Sequence, residues 1–332
     1  MTKEKIFQLI SGLEKITDSK VIIYYTNDLI GPPFGTVIAN DVLSLFKNIL
    51  RKQGVVHRRT LILHTNGGTL DTAWPLVNLI KEYTKNDFEV IIPSKALSAG
   101  TLISLGADKI IMPLGSFLSP IDPTGTFKIK KDNMIEDKTC SVEDIMAYIE
   151  FAREKMGLKG QLGLTEALKL ITQEYSSSII GSVNRTHNLI RNLANKLMKI
   201  RKQPLTQKEI DSIAKYLIQD LYSHSHLINF DEAKEIGIKY VFRPNKSLET
   251  KIFALHNLYK KDLFLEEKTG EIDNHLRNIS SIEREEIIKG ACVHSADQKY
   301  SHNTEVVFAK TPTGTGEIRP VMNIKKQGWI EL

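Results

Sequence analysis

Thr60-Leu61-Ile62-Leu63-His64-Thr65-Asn66-Gly67-Gly68 carries a short apolar segment straight into a pair of glycines, and residues 70–83 follow with Leu76, Leu79, Ile80 and Tyr83 at helical spacing. A strand that ends in a permissive turn and opens a helix is a βα unit. The pattern recurs on both sides. Upstream, Val21-Ile22-Ile23-Tyr24-Tyr25 reads as a strand, Gly31-Pro32-Pro33-Phe34-Gly35 as a break, and residues 41–50 as a helix. Downstream, Glu89-Val90-Ile91-Ile92-Pro93 runs into Ala96-Leu97-Ser98-Ala99-Gly100 and a small-residue helix to Ala107, before a fourth strand at Lys109-Ile110-Ile111-Met112. Strands alternating with helices predict a parallel or mostly parallel sheet covered by helices, an α/β core over residues 1–125.

Beyond Gly115 the texture changes. Ser119-Pro120-Ile121-Asp122-Pro123-Thr124-Gly125 and the charged stretch from Lys128 to Lys138 read as a long surface loop. Helices are then expected from Ser141 to about Met156, across residues 179–202, and from the capping box Thr206-Gln207-Lys208-Glu209 to about Tyr222. Residues 126–222 therefore form a loop and helical arm. Residues 223–243 return to the core through a short helix ending at Gly237 and a strand over 238–242. Residues 244–332 are an extension of uncertain fold, with strands expected at 305–309 and 318–324.

The 332 residues are 41% hydrophobic and 25% charged, globular proportions that exclude a disordered or fibrous chain. No run nears the roughly 18 apolar residues of a spanning helix, and Met1-Thr2-Lys3-Glu4-Lys5 lacks a signal peptide's apolar stretch. A soluble, cytoplasmic protein is expected. The two cysteines, Cys140 and Cys292, make neither a disulfide framework nor a Cys-x-x-Cys pair. His224-Ser225-His226 and Cys292-Val293-His294 have spacing too unspecific for a zinc site, so no metal is expected. The net charge of +6 is concentrated in Arg185, Arg191, Lys196, Lys199, Arg201, Lys202, Lys208 and Lys215, set against Glu209 and Asp211. This segment suits either a solvated helix face or a surface for an acidic or nucleic-acid partner.

Both glycine-bearing turns lie where a strand gives way to a helix, the usual place for a site in an open α/β sheet. Gly67-Gly68 can expose backbone N–H groups as an oxyanion hole or phosphate cradle would, or can simply turn the chain. The Walker and Gly-x-Gly-x-x-Gly spacings are absent, so no nucleotide or dinucleotide cofactor is expected. Ser98 places one hydroxyl among small residues at a helix start, as a nucleophile or as an N-cap.

The succession of His64-Thr65-Asn66-Gly67-Gly68, Ala96-Leu97-Ser98-Ala99-Gly100-Thr101, Gly106-Ala107-Asp108-Lys109-Ile110-Ile111-Met112, Ser119-Pro120-Ile121-Asp122-Pro123 and Asp231-Glu232-Ala233-Lys234-Glu235-Ile236-Gly237 resembles the ClpP/crotonase superfamily. Within it the nearest likeness is to the SppA-like serine dehydrogenase proteinases. The likeness spans residues 20–125 and 140–242. It implies an ATP-independent serine peptidase, Ser98 as nucleophile, and an oxyanion hole from the N–H groups of Gly68 (with Gly67 as the alternative) and Ala99. A peptide or protein substrate added as a strand and a homo-oligomer are also implied.

The base is open at this level. The histidine that follows the serine in ClpP has no counterpart in Phe117-Leu118-Ser119-Pro120-Ile121-Asp122. SppA-like enzymes use a lysine, for which Lys138 is the match, and it would need burial or a cationic neighbour to titrate near neutrality. His224 is the rival and is poised there unaided. Asp122 would orient a partner or brace a rigid turn. Two other readings stand beside the peptidase: an acyl-CoA-processing crotonase relative, which would not need Ser98, and an inactive subunit binding peptide or nucleic acid. Hydride chemistry has no fingerprint here.

Overall fold

The computed structural model describes residues 3–29, 35–121, 124–131, 134–158, 160–221, 225–266, 283–312 and 318–332. The strands are β1 (Lys20–Thr26), β2 (Arg59–His64), β3 (Phe88–Ile91), β4 (Lys95–Ala96), β5 (Lys109–Ile111), β6 (Phe117–Leu118), β7 (Thr124–Lys131), β8 (Met134–Ser141), β9 (Val241–Phe242), β10 (Glu283–His294), β11 (Lys299–Pro312) and β12 (Ile318–Glu331). The α-helices are α1 (Lys3–Thr17), α2 (Val42–Gln53), α3 (Ala73–Glu82), α4 (Ala99–Leu105), α5 (Val142–Glu150), α6 (Gln161–Glu174), α7 (Ser177–Lys199), α8 (Gln207–Lys215), α9 (Phe230–Glu235) and α10 (Lys246–Asp262).

Among the described residues one eight-stranded sheet dominates, in the order β12-β11-β10-β1-β2-β3-β5-β9. Its middle is the expected parallel run, with β1 beside β2, β2 beside β3, β3 beside β5 and β5 beside β9. The apolar runs are continuous because both faces are covered. Ile22, Tyr24, Leu61, Leu63 and Val90 point into a core with α2, α3, α4, α7 and α8. Their neighbours Val21, Ile23, Tyr25, Ile62 and Ile91 point the other way, against α1 and α10.

Three regions differ from the sequence expectation: β7 and β8, the helix α6, and the C-terminal extension. The stretch expected as a surface loop pairs as two antiparallel strands, β7 and β8. Phe127-Lys128-Ile129-Lys130 has the period-two alternation of a strand, which its charge content disguises. The C-terminal extension is also structural: β10 pairs antiparallel with β1 and carries β11 and β12 outward, while α10 closes the second face. The Asn245 side chain caps α10 by accepting from the Leu248 N–H at 2.9 Å.

Within residues 142–220, α5, α7 and α8 fall where helices were expected, whereas α6 was not anticipated. Thr206 and Glu209 form a reciprocal capping box at α8, and α7 buries Val183, Ile190, Leu193 and Leu197 along one side. The basic segment is partly consumed internally. Arg201 is buried, donates to the carbonyls of Ala107 (2.8 Å) and Asp108 (3.2 Å), and stacks on Tyr240. Lys196 lies over Trp74, Lys202 reaches Asp87 and Lys215 reaches Asp220.

If α10 is a structural layer, Ile252→Ala, at a fully buried position, should cost about 2–5 kcal/mol. The urea midpoint should fall with the slope unchanged; an unaltered midpoint would mean that the helix contributes nothing to the fold.

Candidate active site

The end of β2 and the start of α4 meet at two glycines and a serine. Gly67 and Gly68 have φ of 112° and 148°, conformations that favour glycine. A Cβ on Gly68 would lie 2.2 Å from the Ile38 carbonyl oxygen, and one on Gly67 would lie 2.9 Å from the Ser98 Cβ. The turn is therefore clamped. The Ile38 N–H donates to the Gly67 carbonyl at 2.8 Å, and the Thr69 N–H donates to the Ile38 carbonyl at 2.8 Å. The Thr65 hydroxyl accepts the Gly67 N–H at 3.0 Å. Among the described residues the N–H groups of Gly68 and Ala99 have no acceptor.

Ser98 sits at φ 49°, ψ −109° immediately before α4. A non-glycine residue in this region is strained, and a sharp strand-to-helix turn of this kind lifts a side chain clear of the backbone. The small residues around it are a packing requirement. A Cβ on Gly100 would fall 2.6 Å from the Thr65 Cγ2, so α4 can approach β2 only because residue 100 has no side chain. The Ser98 hydroxyl is partly exposed and has no partner among the described residues.

The structure thus brings together Ser98, Gly67, Gly68 and Ala99. His224 and Asp122 lie outside the described residues. Lys138 is on β8, opposite Phe127. Leu118 exchanges two backbone hydrogen bonds, each of 2.9 Å, with Ile228, four residues after His224.

Beside this junction, on the opposite face of the sheet, lies a buried polar network that the sequence reading did not single out. Asp28 Oδ1 meets His64 Nε2 and Lys95 Nζ, each at 3.0 Å, and Asp28 Oδ2 accepts the Glu266 N–H at 2.8 Å. Burial would raise the Asp28 pKa, but the hydrogen bond and charge of His64, with help from Lys95 and the Glu266 N–H, hold it at about 2. His64 stacks on Tyr25, and His256 lies 5.2 Å from it, ring to ring. Burial and the nearby His64 push His256 down to about 4, against the opposing pull of Glu266. Burial, then Lys299 and Lys289, push His294 down to about 3. No sequence spacing signals these pairs, whose members come from separate strands and α10. Among the described residues, no group of three or more His, Cys, Asp or Glu side chains is arranged to hold a metal ion.

Residues 29–147, which contain both glycines and Ser98, match the family of ClpP-like SDH-type serine proteinases. Over that segment the chain is similar to this family. The resemblance implied by its motifs is thereby met, and the mixed α/β fold agrees with it. Two uncharacterized proteins of Methanocaldococcus jannaschii are similar to the chain: one is 27% identical over 202 residues and the other 24% identical over 203. These matches take in 60% and 61% of this chain but only 58% and 57% of the relatives' own lengths. Two solved structures of a 1510-N membrane-bound stomatin-specific protease, one a complex with a substrate peptide, are 18% identical at a TM-score of 0.37. They cover 70% of this chain and 85% and 80% of their own. No helix among the described residues is long and apolar enough to cross a membrane.

The buried histidines His256 and His294 give the fold a predictable acid response. Depressed histidine pKa values mean that the unfolded chain binds protons the native state refuses, so stability is complete above the ordinary value of 6.5 and is lost as pH falls towards 4. Thermal midpoints measured from pH 7.5 to 4.5 should decline, and His256→Asn should flatten the decline. An equally steep curve in the variant would show that His256 plays no part.

Proposed function

We propose that this chain is an ATP-independent serine peptidase of the SppA/ClpP type. The Ser98 oxygen attacks the amide carbonyl, and the N–H groups of Gly68 and Ala99 hold the tetrahedral oxygen. Collapse expels the amine, which takes the proton that the serine gave up, and leaves an ester on Ser98. Water then hydrolyses the ester and restores the serine hydroxyl. The observation that carries the reading is the conformation of Ser98: a strained, partly exposed serine beside two backbone N–H groups that have no acceptor among the described residues. Gly68 is the better oxyanion donor of the two glycines, because the Gly67 N–H is already given to Thr65.

Lys138 and His224 are both proposed for the proton transfer, with Asp122 as a group that would orient one of them. Each comes from a segment that joins the core close to the serine: β7 and β8 follow Ile121, and the segment after His224 pairs with Leu118. A peptide lying as an added strand along the glycine turn would present its carbonyl to both donors.

A fluorophosphonate probe tests this directly. The folded wild-type chain should carry one adduct, located by mass spectrometry on the peptide containing Ser98, and Ser98→Ala should carry none. Of Lys138→Ala and His224→Ala, one should slow labelling by at least about 100-fold. A folded wild-type chain that takes no adduct at Ser98 would end the peptidase reading.

A further inference from the structure

The strain at Ser98 has to be held by something, and the sequence around Ser119 and Thr101 supplies it. The Ser98 N–H donates to the Ser119 Oγ at 2.8 Å, and that hydroxyl donates its own proton to the Pro120 carbonyl at 2.9 Å. Ser119 is itself fixed through its backbone: its N–H donates to the Thr101 Oγ1 at 3.1 Å, and its carbonyl lies 3.0 Å from the same hydroxyl. The Thr101 hydroxyl also bonds the Ala96 carbonyl at 3.0 Å, on the strand that leads into the serine. Ser119 is 4% exposed and Thr101 is fully buried, so water does not compete for these bonds.

We propose that Ser119 is a positioning residue for the Ser98 nucleophile, with Thr101 as its brace. The inference rests on the peptidase reading and adds to it the group that fixes the serine's geometry. Three consequences follow from the bonds themselves. The Ser98 N–H is tied to a side chain on the far side of the turn, so the peptide plane between Leu97 and Ser98 cannot rotate to relieve a φ of 49°. The same bond removes the Ser98 N–H from the set of donors open to a substrate, leaving Gly68 and Ala99. Finally, Ser119 is an oxygen acceptor at a site where alanine would leave the part-buried Ser98 N–H without this partner, and such an N–H favours a rearrangement that finds it another. Neither Ser119 nor Thr101 touches a reacting atom, so the effect should appear in the rate of bond formation and not in probe affinity.

The test is fluorophosphonate inactivation of the full chain, resolved into the affinity KI and the limiting rate kinact, well below each variant's thermal midpoint. Ser119→Ala should lower kinact at least about tenfold, as misplacement of a reacting group does, with KI within twofold of wild type. Ser119→Thr, which retains the oxygen, should recover most of the rate. Thr101→Val, which leaves the Ser119 hydroxyl in place but frees its backbone, should lower kinact in the same direction and serves if Ser119→Ala does not fold. Variants that lose thermal stability while keeping wild-type kinact would overturn the inference, since that is what a merely structural role predicts. Labelling of wild type at Ser98 separates the two readings. If it occurs and Ser119→Ala is unaffected, only the positioning role falls; if it does not occur, the nucleophile falls and the positioning role with it.

Discussion

A φ of 49° at Ser98 is maintained by contacts that reach it from four directions. Gly67 offers no Cβ to collide with it, Gly100 lets α4 seat against Thr65, Ser119 takes its N–H, and its carbonyl accepts the Leu102 N–H at 3.1 Å. Strain of this kind costs about 1–3 kcal/mol and persists only where the surroundings over-determine the residue. Here they do so with buried apolar packing: every residue of α4 is buried, in the same core as Leu63, Val77 and Leu197. The turn is thus supported by parts of the chain as distant as the helical arm, whose Leu197 lies against Gly106 at the end of α4.

The parallel half of the fold was legible because its signal is local. Runs such as residues 60–64, ending in Gly67-Gly68, fix strand, turn and helix within a dozen positions, and the capping box at Thr206 fixes the start of α8 as firmly. The antiparallel half was not, because its pairing is decided by partners far away. β10 is called a strand by Tyr25 and Thr26, more than 260 positions earlier, and Glu283-Arg284-Glu285-Glu286 carries no apolar alternation to announce it. The helix α10 had its cap, Asn245, in plain view, yet a helix that buries only one stripe is hard to distinguish from a polar tail without knowing what it covers.

The candidate site divides the same way. Ser98, Gly67, Gly68 and Ala99 stand in short motifs and could be named from them. The hydroxyls that hold the turn, Thr65, Thr101 and Ser119, act on backbone groups, and threonine or serine near a turn is too common to signal a role. The Asp28, His64 and Lys95 network is assembled from the ends of three neighbouring strands, with the backbone of Glu266 beyond α10 as its fourth member. A buried carboxylate of this kind is tolerable only because every partner is present together.

Asn27, at the end of β1, donates its N–H to the carbonyl of Gly290 in β10, and its own side chain accepts the Thr36 N–H at 3.0 Å. Gly290 fits there only because a side chain would run into Thr36. Asn66, next to the glycine pair, reaches back to the Asn27 carbonyl at 3.5 Å. On a ribosome, where the chain emerges from its N-terminus, β1, β2 and the Ser98 turn would be outside long before Gly290. Until then the flank of the glycine turn, linked to Asn27 through Asn66, lacks the strand that braces it. The brace on the glycine turn thus comes from a strand made long after it, and the turn's flank is complete only once residues 283–294 have emerged.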